Sequence, residues 1–209
     1  MTLLSKQDIR RRLSGAVPAP RLISDLDLNP EQAADLRRPN LALRSASVLV
    51  GLVDRPQGLT VLLTRRTEQL KRHAGQIAFP GGRVDPEDPD QVATAIREAQ
   101  EEVGLTPDLV EVIGVLPPYG TATSFSVTPV VALIGPGFTA RPDPVEVADV
   151  FEVPLAFLLD QDNHQLRTMA WRGRDRNFYA IDYQGTLIWG ATAAMLVNLA
   201  HYLSEPALP

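Results

Sequence analysis

The segment Arg97-Glu98-Ala99-Gln100-Glu101-Glu102-Val103-Gly104-Leu105 decides how the chain is read. It closes a run from Gln91 to Val103 in which Val92, Ile96, Ala99 and Val103 recur at helical spacing. At about 100° per residue these four form one stripe, and Glu98, Glu101 and Glu102 fall on a face well away from it. Asp90 is placed to cap the start of this helix and Gly104 to stop it. The stripe is expected to pack on a sheet, leaving three carboxylates projecting together elsewhere. Like charges at these spacings repel by roughly 0.2–0.5 kcal/mol per pair. They also sit toward the helix C-terminus, the unfavourable end for anions. A divalent cation reverses both penalties, and carboxylate oxygens suit Mg²⁺ or Mn²⁺. Such an ion neutralises phosphate charge and activates water. A solvated acidic face would carry the same three residues, so the neighbouring sequence has to decide.

Working outward, Arg44 to Val53 is apolar and β-branched and reads as a strand. A turn over Asp54 to Gly58, containing Pro56 and Gly58, joins it to a second strand, Leu59 to Thr64, as a hairpin. Residues 74–84 hold Gly75, Gly81 and Gly82, a loop or short strand with special backbone needs. Downstream, strands are expected at Val110–Leu116 and Ser126–Ile134 and a short strand or extended stretch at Val150–Val153, with a loop at Pro117–Gly120 and another at Gly135–Pro144. A helical turn follows Pro154. Leu166–Trp171 and Asn177–Ile181 read as paired strands, and Gly190–Leu203 as a closing helix. Upstream, residues 5–14 read as a short basic helix. The fold class implied is α/β (α+β), with a mixed sheet and few helices. The division expected is an N-terminal helix and irregular extension over 1–40, one domain over 41–204 and a tail over 205–209.

Composition bounds the function. The 209 residues, 44% hydrophobic and 22% charged, suit one globular domain. The absence of cysteine excludes disulfides, thiolate catalysis and cysteine-ligated metals, and suits a cytoplasmic protein. A net charge of −5 argues against a broad nucleic-acid surface. No apolar run is long enough to span a bilayer. The expected partner is a small molecule, with no nucleic acid and no membrane, and the chain is read as a monomer or homodimer. The three histidines are scattered; His73 neighbours the glycine loop, and none is assigned chemistry. Trp171 and Trp189 are read as core or interface aromatics.

Phe79-Pro80-Gly81-Gly82 stands just upstream of the acidic helix. Together they resemble the Nudix hydrolase box, G-x5-E-x7-R-E-U-x-E-E-x-G-U, where U is aliphatic. Gly82 matches the leading glycine, and Arg97, Glu98, Ala99, Glu101, Glu102, Gly104 and Leu105 match the second half. The interval from Gly82 to Arg97 is one residue longer than the pattern, so its outlying acid is Asp88 or Glu87. A second stretch, Leu62-Leu63-Thr64-Arg65-Arg66-Thr67, then Lys71, Gly75 and Phe79-Pro80-Gly81-Gly82, is similar to the extra motif of the coenzyme A pyrophosphatase branch. Thr67 and Lys71 depart from that motif; Arg72 could take the place of an arginine at 71. Glu152–Leu155 and Ile188–Thr192 also look like this branch.

The resemblance implies a sheet sandwiched by helices and a Mg²⁺- or Mn²⁺-dependent hydrolase. On coenzyme A it would release 3′,5′-ADP and 4′-phosphopantetheine. It implies Glu98 and Glu102 as principal metal ligands, helped by Glu101 and the Gly82 carbonyl. Arg97, four residues before Glu101, is read as an orienting partner. The general base is a box glutamate, Glu98 or Glu101, or the later loop acid Glu146. Arg65, Arg66, Lys71 and Arg72 form a basic cluster suited to phosphates. With Gly75 and Phe79 they make the expected substrate-binding set. The competing readings are another Nudix substrate (ADP-ribose, NADH or a nucleoside triphosphate) and a non-catalytic nucleotide sensor.

Overall fold

Alternate residues of β1 (Arg44–Arg55) face opposite sides of a sheet, and both sides are apolar. Leu49 and Val53 join one buried cluster, Val50 and Leu52 the other. A strand apolar on both faces belongs in the middle of a covered sheet. The computed structural model, which describes residues 4–14, 23–31, 43–69, 73–171 and 173–204, places it there. β1 pairs antiparallel with β2 (Gly58–Arg66) and parallel with β7 (Phe125–Ile134). β3 (Ile77–Ala78) and β8 (Val147–Pro154) pair with β2, and β4 (Gly81–Arg83) pairs with β1. β5 (Val110–Val115) and β6 (Tyr119–Gly120) pair with β7. The sheet is therefore mixed. A second, antiparallel sheet runs β9 (Gln165–Trp171), β10 (Arg174–Tyr183) and β11 (Thr186–Trp189).

Helices cover both faces of the main sheet. α3 (Gln91–Val103) lays Ala95, Ala99 and Val103 on the face presented by Leu49, Leu62 and Val130. α5 (Ala191–Ser204) fills the other side with α1 (Lys6–Ser14), whose Ile9 and Leu13 enter the larger core. α4 (Leu155–Leu159) follows β8 directly. α2 (Asp25–Leu28) brings Asp25 against β6 and β10.

Three local expectations change. Tyr119 and Gly120, expected in a loop, pair with Val127 and Ser126, because the Tyr119 ring is buried and its hydroxyl donates to Asp25 at 2.7 Å. Thr186–Trp189, not read as a strand, completes the second sheet after a turn in which Gln184 and Gly185 take φ of 52° and 83°. The strand expected at Val150–Val153 runs from Val147 to Pro154, lengthened by pairing with β2.

Candidate active site

The acidic helix forms as its sequence requires. The Asp90 carboxylate accepts from Ala93 N–H at 2.8 Å, and Gly104 ends the helix in the left-handed region at φ 68°. The three glutamates do not share one fate. The Glu102 side chain is 4% exposed, Glu98 17% and Glu101 59%. Helical spacing put Glu102 on an outward face; instead it is buried beneath the glycine strand, where it accepts from Gly81 N–H at 3.3 Å. An Arg66 guanidinium nitrogen lies 3.5 Å from its carboxylate.

The two glycines of β4 are required for different reasons. At Gly81, φ 157°, a Cβ would lie 2.4 Å from the Ser47 carbonyl oxygen and 2.6 Å from Val48 Cα. At Gly82 it would lie 2.4–2.6 Å from the Glu98 carboxylate. Gly81→Ala is therefore expected to destabilise the fold by roughly 1–3 kcal/mol, since main chain must move. Gly82→Ala displaces only a flexible side-chain end. It should keep its melting temperature within a few degrees of the parent but lose about tenfold in activity through a misplaced Glu98. Thermal melts and rates on the pair check this; equal loss of stability in both would refute the distinction.

Arg97 organises the acids around it. Its Nε and Nη2 donate to the two Asp88 oxygens at 3.0 and 2.9 Å, a bidentate fork. Nη1 donates to Glu98 and to Glu101, each at 3.0 Å, and Nη2 also reaches the Arg83 carbonyl at 3.2 Å. Of the two outlying acids considered, Asp88 is the one Arg97 grips. That hydrogen bond holds Asp88 well below the usual carboxylate range. Burial pushes Glu98 up, with Arg97 opposing. Burial also pushes Glu102 up, to about 7, against the pull of Arg66.

Glu146 arrives from the loop before β8. Arg141 N–H and Asp143 N–H donate to the Val103 and Glu102 carbonyls at 2.8 and 2.9 Å, fastening that loop to the end of α3. Glu146 lies 3.7 Å from Arg66, which thus stands between Glu102 and Glu146. Among the described residues, no three His, Asp or Glu side chains converge closely enough to enclose an ion, since Glu101 turns to Arg97. The donors are nonetheless hard oxygens, and two carboxylates held from solvent one turn apart are what a divalent cation stabilises. The residues present fit such an ion.

Of the expected substrate-binding residues, Arg66 and Phe79 line a cavity of about 380 Å³ together with Gly81, His73, Trp171 and Trp189. The tryptophans, expected in core or interface, are half-buried on its wall. Gly75, φ 68°, packs against the Glu68 carboxylate, so its role in the fold is visible. Arg65 stands in β2 paired with Ile77 and Asp149 and does not line the cavity. Lys71 and Arg72 lie outside the described residues. Sequence reading missed Asp25, Phe125 and Arg176 on the cavity wall; no local motif marks them, because distant strands bring them in.

The chain matches the family model described as NUDIX domain over residues 43–171. It belongs to the Nudix hydrolases. A Cronobacter sakazakii protein described as "Uncharacterized Nudix hydrolase NudL" is 45% identical over 171 residues, covering 81% of this chain and 88% of that one. A Klebsiella pneumoniae protein of the same description is 48% identical over 164 residues, covering 78% and 84%. Among solved structures, a Nudix hydrolase from M. smegmatis, RenU, aligns with a TM-score of 0.47 at 23% identity, covering 54% of this chain and 71% of that one. The chain is thus a hydrolase acting on a nucleoside diphosphate derivative, and Nudix hydrolases use divalent metal cations. Among the described residues, no helix is long and apolar enough to cross a membrane.

Proposed function

We propose that this Nudix hydrolase cleaves the pyrophosphate linkage of coenzyme A and its derivatives, with Mg²⁺ or Mn²⁺, in the cytoplasm. One observation supports the reading above others. Two of the three stretches that resemble the coenzyme A branch meet at one cavity. Arg66, Ile77 and Phe79 come from the first, Trp189 to Thr192 from the second, and Thr192 donates to the Ile77 carbonyl at 3.1 Å. The cavity is lined mainly by apolar and aromatic side chains and reaches Gly81, whose N–H touches Glu102. A long substrate can therefore rest its non-reacting part there with its diphosphate at the acids.

In this reading Glu98 and Glu102 would hold the cation, and Glu101 and the Gly82 carbonyl would complete the set. The cation, when bound, neutralises the diphosphate and acidifies a water. Arg97 fixes the Glu98 carboxylate. Arg66 offers positive charge to the diphosphate where it now faces Glu102 and Glu146. Glu146, or else Glu98 or Glu101, takes the proton from the attacking water. Transfer of that oxygen to phosphorus breaks the anhydride and gives 3′,5′-ADP and 4′-phosphopantetheine.

The test is chromatography of products from purified protein with coenzyme A and Mg²⁺ or Mn²⁺. Both products should appear and vanish with EDTA. Cleavage of ADP-ribose or NADH with coenzyme A left intact would discard the substrate while keeping the acidic site.

A further inference from the structure

Of the basic run at 65–72, Arg65 and Arg66 are described, and Arg65 does not line the cavity. Arg66 is already engaged by two acids. Two other arginines crowd one aromatic ring. The Arg44 guanidinium carbon stands 4.1 Å from the Phe125 ring centroid and that of Arg83 5.5 Å from the same centroid. Neither has a carboxylate partner among the described residues; the Arg44 side chain donates only to the Thr123 carbonyl, at 3.2 Å. Both are exposed, in a chain of net charge −5. Like charges around one ring repel, and at exposed sites the ring faces alone compensate only weakly.

Topology explains the gathering. The parallel pairing of β1 with β7 sets Arg44 beside Phe125, and β4 sets Arg83 beside Ala46, two residues along the same face of β1. Arg83 follows Gly82, which packs on Glu98, by one Cα step of about 3.8 Å. Successive strand residues face opposite ways. The acids thus lie on one side of this strand and the arginine pair on the other, where Phe125 forms part of the cavity wall. An anion held by both arginines would sit beside, and not at, the cleavage site.

We infer that Arg44 and Arg83 bind a second phosphate of the substrate, a phosphomonoester on the ribose that carries the diphosphate. This rests on the coenzyme A reading, in which that group is the 3′-phosphate. A phosphomonoester carries close to two charges and three acceptor oxygens, enough for two guanidinium forks. Because the arginine heads already rest against the ring, little ordering is left to do on binding. The pair thereby selects substrates bearing this phosphate over those lacking it, and it does so away from the reacting atoms.

The experiment measures kcat/KM for coenzyme A and for dephospho-coenzyme A in the parent, R44A, R83A and the double variant. The parent should prefer coenzyme A. That preference should fall by about tenfold in each single variant and approach one in the double variant. Inhibition gives a second readout: 3′,5′-ADP should bind the parent more tightly than AMP, and R83A should lose the difference. A parent with no preference, or a double variant that keeps it, overturns the inference while coenzyme A cleavage still stands. A parent that cleaves neither compound overturns the proposed substrate instead. Continued cleavage of dephospho-coenzyme A reports that the variants fold.

Discussion

Glu102→Gln should lower kcat by about a thousandfold while the metal-free protein melts at the same temperature or higher. The two effects have opposite signs because the carboxylate is buried for function at the expense of stability. Glu102 is almost inaccessible, with one main-chain N–H and a guanidinium 3.5 Å away as its company. Loss of one electrostatic group at a reacting centre costs on the order of 10²–10³ in rate, and a metal ligand stands at the upper end. Glutamine keeps the shape and can still meet Gly81, so the fold should persist. The pH dependence supplies an independent check. Burial lifts Glu102 from 4.5 to about 7. Between those values the folded protein retains a proton that the unfolded chain has released. Metal-free stability therefore falls as pH rises across that window, by at most roughly 3 kcal/mol, and levels off above it. In E102Q this slope should shrink to what Glu98, also raised by burial, still contributes. Melts in EDTA from pH 4.5 to 8, with rates in Mg²⁺, decide it; a fully active E102Q removes Glu102 from the metal site.

Arg97→Lys should fare nearly as badly as Arg97→Ala, each losing about a hundredfold in kcat. The reason is geometric. Arg97 forks onto Asp88 through Nε and Nη2, holds both Glu98 and Glu101 through Nη1, and still reaches the Arg83 carbonyl. A lysine has one ammonium and cannot fork onto Asp88 while holding Glu98. The outer partners of metal-binding carboxylates typically set about 10–100-fold of activity. Metal titrations should show weaker binding in both variants, since Glu98 loses its anchor. An R97K protein with parental rates would show that charge alone suffices and that the fork does nothing.

The acidic helix was fully legible in its bounds, its cap at Asp90 and its stop at Gly104, because these are local rules read from adjacent residues. The hairpin of β1 and β2 and the pairing of β9 with β10 were legible for the same reason. What helical spacing could not supply was the depth of Glu102. An outward face of α3 becomes an inward one when β4 is laid across it, and β4 is placed by a register with β1. Likewise, Glu146 was picked as a loop acid, and it stands at the site because its loop is bonded to the end of α3. The cavity wall was the least legible part. Asp25, held by Tyr119, Ala122 N–H and Arg176, joins three parts of the chain that share no motif.

The parallel pairing of β1 with β7 also governs how the molecule comes into being. Ser47 and Thr128, partners in that ladder, are 81 residues apart. During synthesis the β1–β2 hairpin can close as soon as it emerges, but its central strand then keeps one apolar edge open. That edge waits until the acidic helix and β5 have been made and β7 follows them. Closing so large a loop is slow, and an open apolar edge invites association with other nascent chains. The strand that holds Gly81 and Gly82 in register is thus also the one that makes the newborn chain most dependent on protection from its neighbours.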